Sequence, residues 1–333
     1  ADRNGGPRSA VRGPDPVSRF LGQRLISFIP TLFGVAVIVF LVMRLIPGDT
    51  ISAQIGTSAL LTEAQTQALR AYYGLDKSIP EQFVSWMGNA LQGNLGTSVR
   101  SGKPVLGEII NRFPLTAELG ILALIIGLVL GIPIGVFTAT RRGTLADAAG
   151  QVFALFGLAI PNFWLGTLFI LVLSVVFRIL PNSGDYTSFL ENPRVNLGQM
   201  LFPALTLGLG LTASIARTTR SAVLEELRQD YARTARGKGL RESAVVLKHC
   251  LRNALLPIIT LVGIQAGYLL GGAIVIEEVF ALPGLGRLLL NAIGQRDYAV
   301  TQGVILFIAF NFLVINLLAD LAYAIVNPRV RTG

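Results

Sequence analysis

The chain has 333 residues, 52% of them hydrophobic and 14% charged, against about 25% charged in an ordinary soluble domain, and its mean hydropathy of +0.61 makes lipid the expected solvent. The net charge of +9 raises nucleic acid as a partner, but the placement of the cations argues against it. One cysteine, Cys250, and one histidine, His249, exclude an intrachain disulfide and multi-cysteine metal sites and leave little room for histidine catalysis.

Residues 1–17, rich in Gly, Pro and Arg, read as a disordered tail. Six long runs without charge follow, at 25–43, 119–140, 148–177, 195–216, 253–276 and 298–319. A transmembrane helix needs about 20 mostly apolar residues, and a charge at its centre costs about 2.5–3.5 kcal/mol. The runs predict an all-α polytopic membrane protein with spans near 20–46, 115–138, 148–177, 199–219, 255–277 and 299–325. The first run follows Arg19 and Arg24 as a signal peptide would. It lacks a small-residue cleavage site, however, and is read as a retained span. Pro47-Gly48-Asp49 stops it.

Residues 48–113 form the longest segment between spans. LTEAQTQALRAYYGL has a helical period, a capping-box pair in Thr62 and Gln65, and a stop at Gly74. The charge-free stretch 82–99 is too rich in Gly, Asn, Gln, Ser and Thr to span, and reads as a surface helix and loop. Pro161 predicts a kink in the third span.

Alternate exposed segments divide the cations unequally. Residues 1–24, 141–147, 217–252 and 329–331 carry eighteen Lys and Arg; 46–113, 178–194 and 277–297 carry nine; Arg44 is expected to snorkel from a helix end. The excess marks the cytoplasmic side, so both termini and the loop 220–254 are expected there.

Gly127, Gly131 and Gly135, and again Gly263, Gly267 and Gly271, lie four apart on one helix face. Such stripes serve either close packing within the chain or contact with a second membrane subunit. Among polar residues within the runs, Glu118 and Asp320 are expected at the membrane interfaces. Asn162, Gln265, Asn311 and Asn316 lie deeper, and either join helices or line a polar path. Neither SGKP (101–104) nor GKGL (237–240) makes a phosphate-binding loop. No enzymatic set and no metal site is expected, with His249 and Cys250 read as packing residues.

Residues 213–240 carry helical periodicity through Ile215, Val223, Leu227, Tyr231 and Ala235. Gly237-Lys238-Gly239 permits a turn, and Val245, Val246, Leu247, Leu251 and Leu255 resume the period. Either this hairpin is a solvated loop whose cations set topology, or its small residues Ala232 and Ala235 are exposed to fit a groove in a cytosolic partner. The block resembles the cytoplasmic EAA loop of bacterial ABC-transporter permeases. Over residues 18–331 the chain is similar to the B-type permease of dipeptide and oligopeptide importers. FLGQRLISFIPTLFGVAVIVFLVMRLIPGD, YGLDKSIPEQFVSWMGNALQGNLGTSVRSGKPV, GLAIPNFWLG, RTARGKGL, LRNALLP and EEVFALPGLGRLLLNAI carry the resemblance in order. Arg233-Thr234-Ala235 stands where the general pattern has Glu-Ala-Ala, and Arg252 stands at its late proline. Gly239 keeps the glycine.

The resemblance implies a type I importer permease in the bacterial inner membrane, pairing with a second permease. Two ATPase subunits that bind ATP and Mg2+ would lie below it, and an extracytoplasmic peptide-binding protein above. This chain would hold no cofactor and hydrolyse nothing. Cargo would be short peptides, or in a related branch nickel or a metal chelate; a secondary transporter working without ATP is the reading from another class. Residues Arg233, Thr234, Ala235, Arg236, Gly237, Lys238, Gly239 and Leu240 would couple to the ATPase, and Asn162, Gln265, Asn311 and Asn316 would line the path. Phe280, Leu282, Pro283 and Gly284 read as an exposed apolar turn before a short amphipathic helix. They either belong to a rim seal or form a wedge that enters the binding protein's cleft.

Overall fold

The protein is described by a computed structural model over residues 16–45, 62–72, 76–179 and 186–326, and the regular structure of those segments is helical apart from one isolated bridge between Thr97 and Pro104. The expected tail up to residue 15, Pro47-Gly48-Asp49, Gly74 and the cations at 329–331 lie outside the described residues. In chain order the helices are α1 (Pro16–Leu45), α2 (Glu63–Tyr72), α3 (Ile79–Leu91), α4 (Val105–Thr140), α5 (Leu145–Ala159), α6 (Asn162–Val172), α7 (Pro193–Glu226), α8 (Asp230–Gly237), α9 (Glu242–Val279), α10 (Leu285–Gly294) and α11 (Tyr298–Val326). Helix α6 continues as a π turn over Leu173–Phe177, and α9 contains another over Val245–Cys250.

Helices α1, α4, α7, α9 and α11 each contain a segment long and apolar enough to cross a membrane. Helices α5 and α6 make a sixth only if taken together, because the chain bends by 99° between them. The expected kink at Pro161 is thus a break. Proline removes the amide that would continue α5, and Pro161 takes an extended ψ of 134° before α6 begins. The expected capping box opens α2: the Thr62 amide donates to Gln65 Oε1 at 2.9 Å and the Gln65 amide to Thr62 Oγ1 at 3.3 Å. Another opens α3, where the Ser78 hydroxyl and amide both donate to Glu81. These bonds, the hydroxyl's first, hold the Glu81 carboxyl below its ordinary pKa.

Helices α4 and α7 form the centre. A Cβ on Gly127, Gly131 or Gly135 would stand within 3 Å of Leu211, Ile215 or Thr219, and at Gly135 it would also lie 2.6 Å from the Ala216 carbonyl. The stripe therefore serves packing within the chain. On α9, Gly263 and Gly267 likewise admit Ala319 and Phe312 of α11, whereas Gly271 faces open space. Lipid tails supply no hydrophobic contrast, so this close van der Waals contact holds such helices together. Leu119, Met200, Leu207 and Ile276 fill the junction of α4, α7 and α9, while Ile26, Ile29 and Ile38 of α1 point outward.

Arg44, expected to snorkel, has partners within the chain. It folds back over the Phe40 ring, 3.5 Å from its centroid, and donates to Gln82 Oε1 at 2.9 Å. This bond and the edge contact of Phe40 with Phe83, 5.1 Å between centroids, dock α3 onto α1.

Candidate functional site

Three places carry the groups that sequence reading singled out. The first is the hairpin of α8 and the start of α9. Gly239 takes a φ of +75°. Its amide donates to the Arg236 carbonyl at 2.9 Å, and the Leu240 amide to the Ala235 carbonyl at 3.3 Å. This pair of reverse bonds closes α8 as a Schellman motif, for which glycine at the left-handed position is the usual choice. Arg236 then grips Glu242 with two bonds of 2.9 and 2.8 Å and donates to the Leu227 carbonyl at 3.3 Å. Tyr231 donates to Glu226, and Asn253 donates to the same carboxylate at 3.4 Å.

Ala232 and Ala235 are not exposed: both are buried against Val245 and Cys250, with Leu227 beside them. Only methyl-sized side chains let α8 lie this close to α9, so they hold the hairpin shut. Arg233, Thr234, Arg236, Gly237, Lys238, Gly239 and Leu240 are exposed around this knot. The surface offered is cationic, with Leu240 as an apolar tip.

A pair missing from the sequence reading joins α7 to α5. Arg220 of α7 donates to Asp147 at 2.7 and 2.9 Å. Asp147 is buried, and it also accepts from the Gly143 amide at 3.0 Å and from Gln151 at 3.1 Å. The spacing of Thr144 and Asp147, a cap and a first-turn acid, was the available signal.

The second place is the break between α5 and α6. Asn162 and Gln265 line one cavity of about 320 Å³ there, with Pro161, Gly157, Gly210 and Tyr268. Asn316 lines a different cavity of about 590 Å³ between α1, α9 and α11, near the ion pair of Arg24 and Asp320 at 3.0 Å. Asn311 donates to the Phe307 carbonyl of its own helix at 2.8 Å. Of the four deep amides, the structure thus brings two together.

The third place is the segment 277–298, at the opposite end of the bundle. Phe280 and Leu282 are each 2% exposed and sit in the central core. The expected apolar wedge is therefore inverted: Ala281, at a φ of +54°, turns the chain so that its apolar neighbours point inward. Ala281 and Pro283 stay on the surface, and Gly284 is buried. Glu277, read as the first charge beyond a span, is fully buried. Thr116 Oγ1 donates to it at 2.5 Å, and the Gly286 and Arg287 amides donate at 2.7 and 3.2 Å. The Leu285 amide donates to Thr116 Oγ1 at 2.9 Å. The carboxylate thereby caps α10 and ties it to α4. A buried bond of 2.6 Å from Ser98 to Asp297 fastens the strap before α4 to the other end of α10. Glu118, expected at an interface, accepts from the Tyr186 hydroxyl at 2.6 Å.

Residues 131–332 match the family described as binding-protein-dependent transport system inner membrane component, and residues 17–120 match the family of its N-terminal part. The chain is 39% identical to the dipeptide transport system permease protein DppB of Escherichia coli (strain K12), over 94% of this chain and 98% of that one. It is 43% identical to the glutathione transport system permease protein GsiC of Pectobacterium atrosepticum, over 93% and 97%. Among solved structures, an inward-facing MetNI methionine ABC transporter superposes with a TM-score of 0.54 at 19% identity, over 66% of this chain and 96% of that one.

Proposed function

The chain belongs to the family of binding-protein-dependent transport system inner membrane components, and from that premise we propose that it is the membrane-spanning subunit of an ATP-driven importer of short peptides. The observation that carries this reading is the identity, nearly end to end, with relatives named dipeptide and glutathione permeases. Those names favour peptide cargo over nickel or a chelate.

Under this reading a second permease completes the path, two further subunits bind and hydrolyse ATP with Mg2+, and a solute-binding protein delivers cargo. The hairpin and both termini lie in the cytoplasm, on the side of the cation excess. The hairpin is the lever. It is closed on itself by Arg236, Glu242 and the buried alanines, so a push on Arg233 or Leu240 reaches α9 without being lost in a soft loop. The opposite end presents the α10 cap, with Ala281 and Pro283 outermost, to the binding protein. A rigid docked element whose two positions are biased by a ligand is what such coupling needs. Asn162 and Gln265 line the path.

The test is reconstitution. Chain and partners co-purified in mild detergent and placed in liposomes should accumulate alanyl-alanine when given ATP and loaded binding protein. Uptake that proceeds without ATP, driven by an ion gradient, would replace this reading with a secondary transporter.

A further inference from the structure

The cavity at the break between α5 and α6 has a chemistry more specific than a polar lining. No charged side chain lines it. Pro161 has no amide to return to the Gly157 carbonyl, its helical partner one turn back. On the facing helix α7, Gly210 has no side chain to crowd the break. A Cβ placed there would lie 3.2 Å from Asn162 Oδ1 and 3.9 Å from the Gly157 carbonyl oxygen. Two acceptors thus stand near one another on the cavity wall. Across the cavity Gln265 of α9 offers both a donor and an acceptor. Tyr268, one turn further on, is 66% exposed and marks the open side. At membrane depth, irregular backbone is tolerated only where protein covers it or it lines a wet cavity.

We propose that this cavity binds the backbone of the transported peptide through its N–H groups. The Gly157 carbonyl and Asn162 Oδ1 accept from the peptide N–H, and Gln265, across the cavity, donates to the carbonyl of the same peptide group. This assignment rests on the importer reading and deepens it. A carboxylate or ammonium group finds no counter-ion among the lining residues, so the neutral amide is the class recognised. Ligand side chains meet only apolar wall such as Leu158 and Leu211, which leaves them unselected. The volume lies near the lower end of the range of about 300–1,000 Å³ for small-molecule pockets, suited to a short peptide.

The experiment uses the full importer complex with Gly272→Cys on a Cys250→Ala background. A Cβ at Gly272 meets only Leu207, at 3.5 Å, so the thiol fits. Alanyl-alanine should slow its modification by a small maleimide, about threefold at twice the dissociation constant. Its analogue methylated on the peptide nitrogen should not. Gly210→Ala puts a methyl between the two acceptors while favouring the helix, and Gln265→Leu removes the facing amide. Each should abolish protection while the complex keeps its melting temperature. Lack of protection in a complex that imports the dipeptide overturns the site. So does equal protection by the methylated analogue, by sodium ion alone, or in both variants. Failure of the wild-type complex to import the dipeptide removes the peptide reading and this site with it.

Discussion

At the scale of single residues, Glu277 decides the most. Its carboxylate is out of reach of water and accepts three hydrogen bonds from α4 and α10. Glu277→Ala leaves those donors buried and unpaired, a loss of about 1.5–3 kcal/mol for bonds to a charged group. The melting temperature in detergent should fall, and Glu277→Gln, which keeps an acceptor, should fall less. Equal melting of alanine variant and wild type would show that water replaces the carboxylate. Gly286→Ala should fare worse, because its methyl would lie 2.3 Å from Ile274 Cα, a backbone atom that cannot step aside. Poor membrane yield checks this, and normal yield would disprove the clash. Glu277 was invisible from the sequence, where it merely ended a charge-free run. Its burial depends on Ala281 turning the chain back, and non-glycine residues seldom take that left-handed conformation.

At the scale of elements, the hairpin and the broken span show what a sequence can and cannot specify. Glycines announced the turn, because the left-handed position at Gly239 is a local requirement. Which face of α8 is buried was misread, because that depends on α9 lying against it. This changes how the element should be probed. A bulky side chain at Ala235 forces α8 off α9 and breaks the lever itself, so it reports nothing about a partner. Cysteines at Arg233 and Leu240 should instead cross-link to the ATPase subunits. Absence of any product from either, in an intact complex, would count against the docking face. Arg236→Ala should cost less than about 1 kcal/mol, since the pair with Glu242 is largely solvent-exposed. It should nonetheless speed amide hydrogen exchange over residues 230–244, and unchanged exchange would show that the buried alanines close the hairpin unaided. For the third span, Pro161 promised a bend but not its size. A 99° break needs neighbours that receive the turned chain, such as Gly210 of α7 and Phe280, whose ring approaches Gly166.

At the scale of the whole molecule, the charge-free runs located the crossings but not their lengths. Their boundaries follow where charge resumes, whereas helices end where hydrogen bonding fails, so α4 and α7 run well past the runs within them. Sidedness rests on the count of cations and is open to direct test. In a Cys250→Ala chain, Ser101→Cys and Ser243→Cys should react with an impermeant thiol reagent from opposite sides of the membrane, the second only from the cytoplasm. Reaction of both from one side would overturn the orientation. The glycine stripe of α4 has a mechanical consequence. Helix α4 is 36 residues long and α7 is 34, about 50 Å each at 1.5 Å per residue. Ile215 and Thr219 of α7 sit in the hollows that Gly131 and Gly135 leave in α4, which opposes sliding of one helix along the other. The two act as a splinted rod. At one end Glu226 holds the hairpin through Tyr231 and Asn253; at the other, Thr116 and Val105 hold the α10 cap and the strap before it. Under the importer reading, the cytoplasmic hairpin and the cap on the far surface are therefore the two ends of one packed pair of helices.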